Sequence, residues 1–273
     1  MRSRGWSGNR ASILTLALLS LVTIAAWAGV VFDASAMAAG DDSMGAAMSD
    51  SGGMHASSGL GATVTAMLAY VVAWVVMMAA MMLPSAAPMI LLYRSVARAQ
   101  AAHGNLLVPT WIFVLGYLLV WAAFGVVVYI AGAVVGVAID GDARLAGWAP
   151  YGVALVLVVA GAYQFTSLKL RCLRACQSPW GFLMSHWRAG RGGALGMGVA
   201  HGAYCAACCW GLMAVLVAAG AMALRWVLVI ALVVAAEKLV PRGEWAARIA
   251  GVLLLALGAA VALQPELAQL LRG

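Results

Sequence analysis

The stretch His201-Gly-Ala-Tyr-Cys205-Ala-Ala-Cys208-Cys209 lies inside the apolar segment 194–223, which is long enough to cross a membrane as a helix. Each residue advances about 100° around an α-helix. With His201 as the origin, the three cysteines lie at about 40°, −20° and 80°. Thiolate and imidazole groups suit soft and borderline metals such as Cu(I) and Zn(II). The stretch therefore predicts a membrane helix with four metal-ligand side chains on one face. Small cysteines that fill helix contacts are the alternative.

The composition predicts a polytopic membrane protein. Of the 273 residues, 65% are hydrophobic and only 9% are charged, whereas a soluble domain has about 25% charged residues. We expect an all-α bundle of transmembrane helices in contact with the lipid bilayer. The net charge of +7 does not indicate a nucleic-acid partner, because the basic residues lie in short loops between apolar spans, where they set membrane topology.

Seven apolar segments approach the roughly 20 residues that a membrane helix needs. They are 12–32, 62–92, 108–138, 148–168, 195–219, 223–239 and 246–264. The first has a second interpretation, because its basic start and Ala34-Ser35-Ala36 also fit a cleaved secretory signal. Cleavage would leave six spans with the same orientation.

The basic residues also predict the orientation of the chain. In the seven-span scheme, successive loops lie on opposite sides of the membrane. Only three of the 16 Lys and Arg residues fall on one side, and they are Arg144, Arg225 and Arg272. The others fall on the opposite side. Cytoplasmic loops carry the excess of positive charge in membrane proteins. We therefore expect a cytoplasmic amino terminus and an external carboxyl terminus.

The sequence divides into three regions. Residues 1–32 form the first transmembrane helix or the signal peptide, residues 33–60 an outer loop, and residues 61–273 the metal-binding helix bundle. The loop is rich in Gly, Ser and Ala, which predicts flexibility, and it also carries Met, Asp and His55. It is interpreted either as a copper-capture segment or as a solvated linker.

The second span contains two methionine pairs, Met77-Met78 and Met81-Met82, four residues apart. On a helix they form a stripe of thioethers about 140° wide. Two prolines follow, and each frees backbone carbonyls that need a neighbour or a cavity. The stripe predicts a soft-metal path, and adaptable core packing is the alternative.

Cys172 and Cys176 lie between the fourth and fifth spans, on the predicted cytoplasmic side. They are four residues apart, so they share a face if the fourth helix continues. Two thiolates there could hold Cu(I) or half of a Zn(II) site, and a pair of inert interfacial cysteines is the alternative. Pro179 predicts the end of that helix.

Two further residues are candidates for supporting roles. Met197 lies four residues before His201 and extends the same stripe. Glu237 ends the sixth span. It either pairs with Lys238 or Arg242 or accepts a hydrogen bond from a histidine that binds the metal.

Four blocks of sequence resemble a bacterial domain-of-unknown-function family of predicted metal-binding integral membrane proteins. The blocks are Met77-Met-Ala-Ala-Met-Met-Leu-Pro-Ser-Ala-Ala-Pro-Met89, Cys172-Leu-Arg-Ala-Cys-Gln-Ser-Pro179, His201-Gly-Ala-Tyr-Cys-Ala-Ala-Cys-Cys-Trp-Gly-Leu-Met213 and Glu237-Lys-Leu-Val-Pro241. The resemblance covers about residues 60–245 and leaves the loop 33–60 outside. It implies an all-helical fold in the bacterial inner membrane and metal binding, with copper as the expected metal. It implies no established reaction.

Two functions of different classes fit these residues. The first is a Cu(I)-handling membrane protein, with zinc as the alternative metal, that transports the ion or delivers it to a copper chaperone or cuproenzyme. Thioethers outside and thiolates inside would make binding tighter inward, which favours import or inward delivery. The second is a thiol–disulfide oxidoreductase that uses Cys205 with Cys208 and Cys172 with Cys176. A role other than catalysis is the expectation, and the oligomeric state stays open.

Overall fold

The computed structural model describes residues 60–103, 108–220 and 224–272, together with helical positions between 17 and 31. All regular structure in these residues is helical, which confirms the all-α prediction. The predicted first span, 12–32, is described only in part. The predicted outer loop, 33–60, lies outside the described residues except for its last residue.

Nine helices follow from residue 60 in the described part of the chain. They are α1 (Leu60–Ala102), α2 (Thr110–Gly141), α3 (Ala143–Tyr163), α4 (Ser167–Gln177), α5 (Pro179–His186), α6 (Gly190–Ala218), α7 (Leu224–Leu239), α8 (Gly243–Leu263) and α9 (Leu267–Arg272). The predicted end of a helix before Pro179 is confirmed, because α4 ends at Gln177 and Pro179 opens α5.

Four of these helices, α1, α2, α6 and α8, are long and apolar enough to cross a membrane. The α3–α4 pair would make a fifth crossing if it forms one span, and it is bent by 65°. Helix α7 has 16 residues, fewer than the roughly 20 that a full crossing needs. The described residues therefore support four or five crossings, whereas the sequence predicted seven.

Among the described helices, α2 and α6 make the most extensive contact, and a Gly-x-x-x-Gly pair on α6 lies in it. A Cβ atom on Gly198 would collide with the backbone carbonyl of Phe113, and one on Gly202 would lie 3.0 Å from the carbonyl oxygen of Tyr117. Small residues at this spacing let two membrane helices approach closely. The close approach sets the aromatic face of α2 directly against the cysteine-bearing face of α6.

Helix α1 packs against α2 and brings its methionines into the core. Met77, Met78, Met81 and Met82 are all buried. The helix continues through both prolines, and the hydroxyl of Ser85 donates to the carbonyl of Met82 at 2.9 Å. Ser85 lies between the two prolines, and this bond keeps its hydroxyl paired within its own helix.

The break between α3 and α4 is fixed by polar groups inside the bundle. The hydroxyl of Thr166 accepts from the backbone N–H of Lys169 at 3.3 Å and caps α4. The ammonium of Lys169 then donates to the carboxylate of Glu237 on α7 at 2.6 Å. This ion pair ties α4 to α7, and α4 also packs against α6.

Candidate metal centre

The four metal-ligand side chains predicted on α6 all face the interior of the bundle. His201, Cys205, Cys208 and Cys209 are each 3% exposed or less, and Met197 on the same helix is 2% exposed. The thiols of Cys208 and Cys209 donate to the carbonyl of Cys205, at 3.1 and 2.9 Å. These bonds hold both sulfur atoms close to the helix that carries them.

Cys176 reaches this cluster from α4. Its Sγ lies 4.0 Å from the Sγ of Cys208, whose thiol donates to the carbonyl of Cys205. Cys176, predicted as one of a pair with Cys172, therefore lies beside the cysteine cluster of α6. The 65° bend before α4 is the physical reason, since it turns this short helix across the end of α3 and onto α6.

Cys172 is buried in the same short helix, at 5% exposure. Among the described contacts its thiol has no hydrogen-bonded sulfur partner, in contrast to Cys176. Of the two cysteines, Cys176 is the one whose sulfur is described in contact with a sulfur atom of α6.

The methionine stripe meets the cluster through Lys238 of α7. The Nζ atom of Lys238 donates to the Sγ of Cys205 at 2.9 Å and lies 3.6 Å from the Sδ of Met82. Lys238 is buried, with 7% of the residue exposed. Sulfur atoms from α1 and α6 thus share one buried ammonium group, which places Met82 at the edge of the cysteine cluster.

Sequence reasoning missed both Lys238 and Tyr117 as parts of this site. The hydroxyl of Tyr117 lies 3.0 Å from the Sγ of Cys205, so two polar groups from other helices contact that one sulfur. The sequence of α7 is apolar on nearly all sides and carries no signal for Lys238. In the structure, the buried positions of α7 recur at helical spacing and include residues 234, 237 and 238. That pattern places Lys238 on the buried side instead of at the membrane surface.

His201 lies one helical turn before Cys205, within an aromatic cage. Its ring centroid is 5.8 Å from that of Tyr117, 6.1 Å from that of Phe113 and 5.3 Å from that of Phe182. The Nδ1 atom is buried and has no hydrogen-bond partner among the described residues. This imidazole nitrogen can therefore coordinate a metal ion when it is not protonated.

Glu237 has a different partner from those predicted. Its carboxylate accepts from Lys169 at 2.6 Å and from the amide of Gln164 at 3.2 Å, whereas the sequence predicted Lys238, Arg242 or a ligand histidine. The reason is its helical position, since neighbouring residues point about 100° apart. Glu237 faces α3 and α4, while Lys238 faces α1 and α6.

The comparison with protein families decides the class of the chain. Residues 71–261 match the PpoB2 family, which is described as a copper chaperone. The chain belongs to the PpoB2 copper chaperone family. Every candidate ligand from Met77 to Cys209, together with Lys238, lies within the matched region. Comparison with curated proteins and with solved structures found no match.

Membership of the copper chaperone family supports copper handling and gives no support to the oxidoreductase alternative. Among the described residues, no group of three or more His, Cys, Asp and Glu side chains is placed to hold a metal ion. The arrangement offers pairs of sulfur atoms instead. Two sulfurs 4.0 Å apart can share one ion, because two metal–thiolate bonds of about 2.3 Å span up to roughly 4.6 Å.

Proposed function

We propose that this member of the copper chaperone family is a multi-pass membrane protein that binds Cu(I) inside its helix bundle. In this proposal two of the thiols of Cys176, Cys205 and Cys208 hold the ion at any one time, and the protein passes the ion to a partner protein. The approach of Cys176 on α4 to Cys208 on α6, at 4.0 Å, is the observation that carries the proposal. It brings together soft donors from two helices in a membrane-spanning core.

The chemistry of the donors favours Cu(I) as the cargo. Thiolate and thioether sulfur select Cu(I) over hard cations, and zinc is the alternative metal. More sulfur atoms lie near the cluster than one ion needs, since Cys209 and Met82 adjoin it. An ion can then leave one sulfur as it binds the next, which is what a carrier requires. The buried stripe of Met77, Met78 and Met81 extends these donors along α1.

The proposal places the chain in a bacterial inner membrane with its amino terminus in the cytoplasm. The distribution of Lys and Arg supports this orientation. The partner is a copper chaperone or a cuproenzyme, and His55 and the methionines of the loop 33–60 would capture copper outside. A cysteine introduced at position 50 should react with an impermeant reagent added to intact cells. Reaction only after permeabilisation would reverse the topology.

Copper binding by the purified protein tests the proposal. The detergent-solubilised protein is loaded with Cu(I) under reducing, anaerobic conditions, desalted and analysed for copper per chain. We expect close to one copper per chain, and less than about a tenth of it in Cys205→Ser/Cys208→Ser, because hydroxyl oxygen is a poor Cu(I) ligand. The matched control, Cys172→Ser, should retain the copper. Equal copper in the double variant and the parent would reject the proposal.

A further inference from the structure

Lys238 is a buried cation whose described partners are sulfur atoms. Its Nζ contacts the Sγ of Cys205 at 2.9 Å and the Sδ of Met82 at 3.6 Å. The ion pairs in the described residues are Lys169–Glu237 and Arg174–Glu244, so no carboxylate in that part of the chain pairs with Lys238. An ionisable residue in the interior of a membrane protein usually has a function.

Lys169, the other buried lysine, has a structural role and serves for comparison. Lys169 is fully buried, and its charge is balanced by Glu237 at 2.6 Å. Lys238 lies next to Glu237 in sequence but points to the cysteine cluster. Its positive charge is therefore left facing the sulfur atoms proposed to hold the metal.

We propose that Lys238 is a specificity-determining residue that makes the cysteine cluster prefer monovalent soft cations over divalent ones. The inference rests on the proposed function, because it assigns a selectivity to the same cluster. The ligands it favours are Cu(I) and its monovalent analogue Ag(I). The ligands it disfavours are thiophilic dications such as Zn(II) and Cd(II).

The physical basis is the charge that the ion brings into a low-dielectric interior. The Coulomb energy between Lys238 and a bound cation is proportional to the charge of that cation, so a dication is repelled twice as strongly. The twofold ratio of these two repulsion energies does not depend on how many thiolates bind, provided that both ions bind the same thiolates. Each thiol that binds releases its proton to water with either ion. Proton release therefore does not remove the difference in repulsion between the monovalent and the divalent ion.

The total charge leads to the same preference. Two thiolates, one Cu(I) and the Lys238 ammonium sum to zero, whereas the same groups with Zn(II) leave one positive charge. An uncompensated charge is costly in a protein interior. A two-thiolate site with this lysine beside it is therefore matched to a monovalent ion.

The test compares Ag(I) with Cd(II), because both are closed-shell, thiophilic ions and differ in charge. Affinities are measured by competition with a soluble thiol chelator on the full-length, detergent-solubilised protein. The variants are Lys238→Leu, which removes the charge and adds no metal ligand, and Lys238→Arg, which keeps the charge. Tyr117→Phe is the matched control, since it removes the other polar contact of Cys205 without changing the charge.

We expect the ratio of Cd(II) affinity to Ag(I) affinity to rise at least tenfold in Lys238→Leu. The ratio should stay within twofold of the parent in Lys238→Arg and Tyr117→Phe. An unchanged ratio in Lys238→Leu, or an equal rise in Lys238→Arg, would overturn the selectivity. If Lys238→Leu does not fold, Lys238→Gln provides the uncharged side chain. A parent that binds Cd(II) more tightly than Ag(I) contradicts the inference without any variant.

The same experiment separates the two proposals. A parent protein that binds neither ion would reject the copper site itself, and with it the selectivity. A parent that binds Ag(I) through its cysteines, with a ratio unaffected by the charge at position 238, would reject only the role of Lys238.

Discussion

At the scale of single residues, Cys176 decides whether the metal site is formed by two helices or by α6 alone, because it lies on α4. Its Sγ is 4.0 Å from that of Cys208, so we expect Cys176→Ser to weaken Cu(I) affinity at least tenfold through the loss of a soft ligand. Cys172→Ser, one helical turn earlier, should leave the affinity within twofold of the parent. The measurement is competition for Cu(I) with a chromophoric chelator. An equal loss in both variants would place the ion elsewhere.

Part of the site could be predicted from the sequence at this scale. The helical spacing of residues 201–209 predicted four inward-facing donors, and all four are buried. The roles of Tyr117 and Lys238 could not be predicted, because they lie 88 and 33 residues from Cys205. Helical periodicity places residues on a face of their own helix and carries no information about which residue of another helix lies opposite.

At the scale of secondary-structure elements, the contact between α2 and α6 positions the site. We expect Gly198→Ala to lower the thermal unfolding midpoint of the detergent-solubilised protein by several degrees, because overpacking costs about 1–3 kcal/mol. The added methyl group would meet the backbone of Phe113. Gly196→Ala is the matched control, since a Cβ there meets nothing within 4 Å. It should be neutral or slightly stabilising, as alanine favours helix.

Equal midpoints for the two glycine variants would show that the α2–α6 approach is not limited by Gly198. A low midpoint in Gly196→Ala alone would contradict the described packing. The affinity for Cu(I) should fall in Gly198→Ala as well, because Tyr117 lies one helical turn after Phe113 on α2 and contacts Cys205.

Hydropathy predicted most elements but not their breaks. The long apolar helices α1, α2, α6 and α8 correspond to predicted spans. The bend between α3 and α4 was missed, because it depends on Gln164 and Lys169, whose partner Glu237 lies 73 and 68 residues away. The sequence near residue 166 shows only the end of an apolar segment and gives no indication of the contact with Glu237.

At the scale of the whole molecule, the bundle separates two environments. Large apolar side chains such as Leu119, Ile130 and Leu253 are 48%, 53% and 63% exposed, which suits contact with lipid. Of the polar groups that remain inside, Lys238 contacts the cysteine cluster, while the Lys169–Glu237 pair ties α4 to α7. Composition predicted the membrane character, whereas the interior polar network could be recognised only once the helices were assembled.

The central claim, that Cu(I) is held by sulfur atoms inside this bundle, is tested most directly by X-ray absorption at the copper edge. The sample is the full-length protein loaded with one equivalent of Cu(I) in detergent. We predict a Cu(I) edge and a first shell of two or three sulfur atoms at about 2.3 Å, the length expected of a metal–thiolate bond. Cys205→Ser/Cys208→Ser should lose this shell. A first shell made mainly of nitrogen or oxygen, or a sulfur shell that persists in the double variant, would contradict the account.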